Sequence, residues 1–169
     1  MQTAEVCMPI TEKLRDFLEG NHAAYTHTVH PTAFTAREVA SAEHLPAREV
    51  AKTVVVSGDG AFHMIVVPAS KLVDLQEVRL ALGLAHARLA TEDELARLFP
   101  DCELGAMPLF GSLYQLAVYL DSSLAGEDTI AFNAGTHRDV VHMRTVDYCQ
   151  LAAPTVVSLA RVMAMRHGW

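Results

Sequence analysis

Residues 50–67 constrain the fold of this chain most tightly. Val50–Ser57 contains the unbroken run Thr53-Val54-Val55-Val56, and Phe62–Val67 is a second β-rich run. Between them, Gly58-Asp59-Gly60 is turn chemistry. Two such runs across so short a turn read as an antiparallel hairpin. Any fold of the chain must place this pair in a sheet.

The flanking segments read as a mixture of helices and strands. Thr11–Glu19 carries Leu14, Phe17 and Leu18 on one helical face, with Gly20 placed to end it. Ala23–Val29 looks extended. Thr35-Ala-Arg-Glu38 and Thr91-Glu-Asp-Glu94 are capping-box patterns, opening helices that run to about His44 and Phe99. Asp74–Leu82 reads as a helix stopped by Gly83. Leu116–Leu120, Thr129–Asn133 and Val140–Arg144 are further strands, with a turn or single helical turn at Asp121–Gly126. Thr145–Leu151 reads as a short helix and Val156–Met165 as a C-terminal helix. Several strands are joined by short turns rather than crossover helices. The expected class is therefore mixed α/β of the α+β type, with a largely antiparallel sheet surrounded by helices. No repeat, low-complexity tract or linker divides the 169 residues, so one domain over 1–169 is expected.

Composition narrows the function classes. At 51% hydrophobic and 20% charged residues, a chain of this length can bury a sufficient core without disulfides or metal. Cys7, Cys102 and Cys149 are too few and too scattered for a disulfide framework or a cysteine-rich zinc site. The N-terminus does not read as a signal peptide, and no apolar run approaches the 18 or so residues of a membrane span. A soluble, cytoplasmic protein with no membrane partner is expected. The net charge of −7 argues against indiscriminate nucleic-acid binding, which depends on neutralising phosphates. It leaves room for a local basic patch or for recognition of one terminal nucleotide.

Three features could carry chemistry. Lys52 is one of only three lysines, with Lys13 and Lys71, and lies inside the most hydrophobic strand. A buried ammonium needs an exit to solvent or an anionic ligand. The alternative is an outward strand face carrying Lys52, Val54 and Val56, or an ammonium snorkelling past the sheet edge. The second feature is Gly105-Ala106-Met107-Pro108-Leu109-Phe110-Gly111, whose glycines and proline set a backbone that neither helix nor strand gives. It can aim amides inward like an oxyanion hole, or simply plug the core with Met107 and Phe110. The third is Asn133-Ala134-Gly135-Thr136-His137, a strand ending in a polar turn. Asn133, Thr136 and His137 can hydrogen-bond a ligand and Gly135 permits close backbone approach, yet Asn and Gly also merely build turns.

Other chemistries find less support. The closest histidine pairs, His27 with His30 and His137 with His142, fall on opposite faces of a strand, so no metal is expected. Cys102 could act as a nucleophile beside a histidine, or be a small buried hydrophobe. No G-x-S-x-G, P-loop or G-x-G-x-x-G pattern is present, and no cofactor is expected.

Taken in order, Ala51-Lys52-Thr53-Val54-Val55, Glu103-Leu104-Gly105-Ala106-Met107-Pro108-Leu109-Phe110-Gly111 and Ala131-Phe132-Asn133-Ala134-Gly135-Thr136-His137 resemble the YbaK/EbsC family, the prolyl-tRNA-synthetase-associated editing domain. The resemblance covers about Thr32 to Leu151. It implies a curved mixed sheet and hydrolysis of the ester between a small noncognate amino acid and tRNA, assisted by the tRNA's own terminal 2′-hydroxyl. It implies a mischarged tRNA acceptor end as partner, with an aminoacyl-tRNA synthetase as a further one. Lys52 matches the family's signature lysine and Gly105 opens its G-x-x-x-P loop. Here the fourth position after Gly105 is Leu109, with the proline one earlier, at Pro108. On this reading Lys52 and the backbone of Gly105, Ala106 and Met107 serve catalysis. Pro108, Phe110, Gly111, Asn133, Gly135, Thr136 and His137 shape the substrate site. Two other functions fit the same residues: a noncatalytic module that binds tRNA or a synthetase, and a hydrolase of another small ester or thioester.

Overall fold

The structure, a computed structural model, describes residues 11–162. In chain order its elements are α1 (Glu12–Gly20), β1 (Thr26–Val29), α2 (Ala36–Ala42), β2 (Ala51–Gly58), β3 (Ala61–Pro68), β4 (Lys71–Val73), α3 (Leu75–Leu82), β5 (Arg88–Leu89), α4 (Glu92–Leu98), β6 (Ala117–Asp121), α5 (Ser122–Ala125), β7 (Thr129–Asn133), β8 (Asp139–Arg144), α6 (Thr145–Ala152), β9 (Thr155–Val157) and β10 (Ala160–Val162). Single 3₁₀ turns at Ala47–Glu49 and Gly111–Tyr114 complete them.

The hairpin forms as expected. β2 and β3 pair antiparallel over eight residues, from Ala51 opposite Pro68 to Gly58 opposite Ala61. Asp59 and Gly60 both take positive φ (52° and 84°), as a two-residue turn matched to strand twist requires. The Asp59 carboxylate then accepts the amides of Ala85 (2.8 Å) and His86 (3.1 Å), tying the turn to the segment after α3. Around the hairpin grows a mixed five-stranded sheet, β5-β2-β3-β6-β9, antiparallel on the β5 side and parallel from β3 through β6 to β9. A separate antiparallel sheet, β1-β8-β7, meets it at the bridge between Val50 and Ala131.

Strand alternation sends the two faces of β2 into different hydrophobic layers. Ala51 and Val55 join the main core of Leu14, Leu18, Phe110, Phe132 and Tyr148. Val54 and Val56 pack with Ile65, Val67, Val78 and Leu159 under α3. The face bearing Lys52, Val54 and Val56 is therefore a covered one, with Val56 fully buried.

Helix ends follow the sequence signals. Asp74 caps α3 by accepting from Gln76 and Glu77, and Gly83 ends it in the left-handed conformation. Thr91 and Glu94 form a complete capping box on α4. At α2, Thr35 accepts from the Glu38 amide, but the Glu38 carboxylate reaches one residue further back, to the Phe34 amide (2.9 Å).

The segment expected as a C-terminal helix is instead the two short strands β9 and β10. Its end, 163–165, lies outside the described residues, as does Cys7. The cause is tertiary. The Val156-Val157 run adds to the exposed edge of β6, and Asp121, only 1% exposed, captures the Leu159 amide (2.9 Å). The same carboxylate accepts the amide and hydroxyl of Ser123 and sits 3.6 Å from Lys71 Nζ. Its removal would orphan several donors at once. Asp121→Ala is expected to lower unfolding free energy by about 3–5 kcal/mol, measured by urea denaturation, with Asp121→Asn recovering only part of the loss.

Candidate active site

The site begins where two segments 30 residues apart are laced together. Glu103 donates its amide to Gly135 O (2.8 Å), and Gly135 returns its own to Ala106 O (2.9 Å). His137 Nε2–H donates to Leu104 O (2.7 Å), and the His137 amide donates to the Glu103 carboxylate (3.3 Å). The glycine loop and the polar turn thus form one wall.

Both glycines are required, for different reasons. Gly105 holds φ +86°, and a Cβ there would meet only His137 Cε1, at 3.5 Å, an ordinary contact. Gly135 holds φ +98°, and a Cβ would overlap the Thr11 side chain. The close approach at Gly135 is therefore made by Thr11, whose amide also donates to Ala134 O (3.1 Å). The turn is braced from below by Asp139. This carboxylate is 5% exposed, accepts from the Thr136 hydroxyl, and lies 2.8 Å from His27 Nε2.

Within residues 104–111 only Leu104 and Gly105 are exposed. Ala106, Met107, Pro108, Leu109, Phe110 and Gly111 are buried. Phe110 packs on Phe17, Phe132 and Tyr148, and Gly111 lies against the Leu116 backbone. These residues support the wall from the core side. The Ala106 amide, expected among the carbonyl-facing donors, is committed to Glu103 O (3.0 Å). Among the described residues the Gly105 amide has no acceptor and belongs to an exposed residue, which makes it a candidate donor to a ligand. Two acceptors in the turn are buried without partners among the described residues: Asn133 Oδ1 and His137 Nδ1. With Nε2 donating to Leu104, His137 Nδ1 carries a lone pair. Buried unsatisfied atoms are rare enough to mark a place where water or ligand completes the bonding.

Lys52 lies half-buried on β2, opposite Val67. No carboxylate pairs with it among the described residues. Thr53, on the other face of β2, donates to Pro108 O (3.2 Å), which fixes the strand against the glycine loop. The connection on the Lys52 side runs through residues 33–37. The Ala33 amide donates to His137 O (3.0 Å), and the Phe34 ring lies on the His137 ring with centroids 5.1 Å apart. Arg37, on α2, places its guanidinium where it repels the Lys52 ammonium. Burial first, and Arg37 second, lower the Lys52 pKa below its ordinary 10.5. Phe34 and Arg37 were not visible as site residues in sequence. The one available signal was an aromatic immediately before the capping residue Thr35.

Cys102 lines a cleft of about 320 Å³ behind the loop, with Phe99, Glu103, Leu104 and Met107. Its thiol has no histidine beside it among the described residues; it contacts Tyr114 Oη (3.3 Å). Burial pushes its pKa up to about 12, so the thiolate a nucleophile requires is suppressed. His30 Nδ1 donates to Pro31 O (2.6 Å), and His142 Nε2 lies 3.3 Å from the Glu43 carboxylate. Among the described residues no three His, Cys, Asp or Glu side chains are grouped to hold a metal ion.

Four outcomes follow from this geometry. Gly135→Ala combines a strained φ with overlap on Thr11 and is expected to cost about 2 kcal/mol or more in denaturation. Lys52→Met removes a cation disfavoured by its surroundings, so its stability at pH 7 should equal or exceed that of the parent by up to about 1 kcal/mol. Because the folded pKa is lowered, the unfolded chain binds more protons between that value and 10.5. Parent stability relative to Lys52→Met should therefore rise with pH across that alkaline interval. Cys102→Ala should leave any hydrolytic activity of the protein unchanged in steady-state assays.

Residues 30–151 match the aminoacyl-tRNA editing domain family. The chain is 32% identical over 109 residues to the multifunctional Ser/Thr-tRNA deacylase ProXp-y of Escherichia coli (strain K12), a match covering 63% of this chain and 65% of that protein. It is also 32% identical over 128 residues to a proline–tRNA ligase of Staphylococcus epidermidis, covering 74% of this chain and 21% of the ligase. The matched stretches thus span just under two thirds of the deacylase and about a fifth of the ligase. In fold, the chain is similar to a candidate trans-editing enzyme for prolyl tRNA synthetase, with TM-score 0.79, 23% identity, and 89% and 96% of the two chains covered. A hypothetical protein superposes with TM-score 0.80 at 16% identity, covering 89% of this chain and all of that one. No helix among the described residues is long and apolar enough to cross a membrane. With the family model matched across most of its length, on the segments that build the laced wall, the chain belongs to the aminoacyl-tRNA editing domain family.

Proposed function

We propose that this protein is a trans-acting deacylase that hydrolyses the ester joining a small noncognate amino acid to tRNA. It would act as a single editing unit in the cytoplasm, where tRNA is charged. The reading is supported by three groups: an exposed Gly105 whose amide finds no acceptor among the described residues, a half-buried Lys52 that no carboxylate pairs there, and a buried acceptor at His137 Nδ1. The family match and the name of the Escherichia coli relative, a Ser/Thr-tRNA deacylase, support it.

An aminoacyl ester is already activated, so hydrolysis requires a placed water and a stabilised oxyanion more than a strong nucleophile. Water oxygen adds to the ester carbonyl carbon and the carbonyl oxygen becomes the oxyanion. The carbon–oxygen bond to the ribose then breaks and the ribose oxygen takes up a proton. The products are the free amino acid and tRNA with its terminal hydroxyl restored. In this reading the Gly105 amide faces the oxyanion. The Lys52 ammonium, with Arg37 beside it, holds the phosphate of the terminal nucleotide. His137 Nδ1 accepts from a substrate donor, the α-ammonium or the attacking water. The cation role suits Lys52 better than a base role, because a half-exposed ammonium retains access to solvent. Substrate choice would rest on excluding larger side chains, since a hydrophobic pocket separates neighbours by only about 1–3 kcal/mol per methylene.

The test is single-turnover release of amino acid from tRNAs charged with Ser, Thr, Ala, Cys and Pro. Wild type should accelerate release from at least one of them, and Lys52→Ala should lose about hundredfold or more of that rate. Tight tRNA binding without accelerated release would replace the enzyme by a binding module. Cleavage of free small esters alone would replace tRNA as the substrate.

A further inference from the structure

Phe34 is 68% exposed, and its ring is nevertheless held in place. Isolated exposed apolar residues are ordinary on protein surfaces and carry no meaning alone. The setting of this one is what distinguishes it. The preceding residue, Ala33, donates its amide to His137 O (3.0 Å). The Phe34 amide is fixed by the Glu38 carboxylate (2.9 Å), and the following residue, Thr35, caps α2. One part of the ring is seated on the buried His137 ring, with planes tilted by 54°. The rest is open to solvent, and the same His137 ring donates to Leu104 O and borders Gly105, both exposed residues. Arg37 follows one helical turn on, with Lys52 close enough to feel its charge. In a chain of net charge −7, an aromatic surface held rigid beside two cations has the makings of a nucleotide subsite.

We propose that Phe34 is the stacking platform for the 3′-terminal adenine of the bound tRNA, with the nucleotide's phosphate toward Arg37 and Lys52 and its ester toward Gly105 and His137. This rests on the editing reading above. Stacking is indifferent to base identity, so it supplies affinity and placement rather than choice among tRNAs. Because the backbone on both sides is already fixed, little ordering is needed on binding. The remaining face of the adenosine, its ribose, then projects the ester toward the exposed loop amide.

The experiment compares wild type, Phe34→Ala and Phe34→Trp in deacylation of a misacylated tRNA. It also measures their binding to the trinucleotide CCA and to its analogue with an abasic 3′ end. Phe34→Ala should raise KM about tenfold to hundredfold with kcat within about threefold, and Phe34→Trp should restore KM. Wild type should bind CCA more tightly than the abasic analogue and shift the adenine proton resonances upfield. Phe34→Ala should lose both effects while keeping the wild-type Tm, since the ring is mostly exposed. An unchanged KM in Phe34→Ala, or equal wild-type affinity for CCA and the abasic analogue, overturns the proposal. If wild type releases no amino acid from any charged tRNA, the editing reading fails separately, and the CCA comparison still decides the stacking.

Discussion

Everything at the site hangs on the pair of backbone hydrogen bonds between Gly135 and residues 103–106. They couple a loop that is neither helix nor strand to the end of β7, and they do so with groups that every residue carries. What restricts the sequence is the surrounding space. Gly135 must be glycine because Thr11 occupies the volume a side chain would need, and because φ is +98°. Once that bond pair forms, His137 falls over Leu104, its Nε2 proton finds Leu104 O, and its second nitrogen is left as a bare acceptor in a buried setting. The tautomer of neutral His137 is thereby set by a structural hydrogen bond.

Lys52 stands in tension with this order. The faces of β2 enter two hydrophobic layers, and a methyl-bearing residue would fit position 52 more comfortably than an ammonium does. Arg37 adds repulsion to the cost of desolvation. On the proposed function, a lysine kept in so unfavourable a setting is there to receive anionic oxygen. This is the usual direction of conflict between stability and function, in which the site holds what the fold alone would replace.

Much of the architecture was legible because local signals and tertiary structure agreed. The hairpin was written in Val50–Val67 together with its Asp59-Gly60 turn, and the helices of α3 and α4 in their capping residues. The C-terminal strands were not. Val156-Val157 has helix-compatible neighbours, and only the open edge of β6 and the buried Asp121 carboxylate, 38 residues away from Leu159, convert it to extended chain. The irregular glycine loop was recognised, and Met107 and Phe110 plug the core as one of its two open readings had it. Leu104 and Gly105 face outward while Met107 through Gly111 fill the core. Phe34 and Arg37 escaped notice because each is an ordinary exposed residue in the sequence. Their meaning comes from the fold that sets them against His137 and Lys52. The role of Thr11 at Gly135 was equally out of reach, since it depends on a contact between chain positions more than a hundred apart.

The pairing of β1 with β8 has a kinetic consequence. His27 meets Asp139 across 112 positions, and Thr11 meets Ala134 across a similar span. Loops of that size close late, after the local hairpin and helices have formed. The turn at 134–139 is braced from both of these partners, so its geometry is complete only when the first strand has docked on one of the last. A chain emerging from synthesis, or one cut short before β8, would possess Lys52 and the glycine loop without the wall that orients them. On the proposed function, hydrolytic competence arrives together with the final long-range contacts. If the finished protein is a deacylase as proposed, an unfinished chain would lack the means to strip amino acids from the charged tRNAs crowded around the ribosome that is making it.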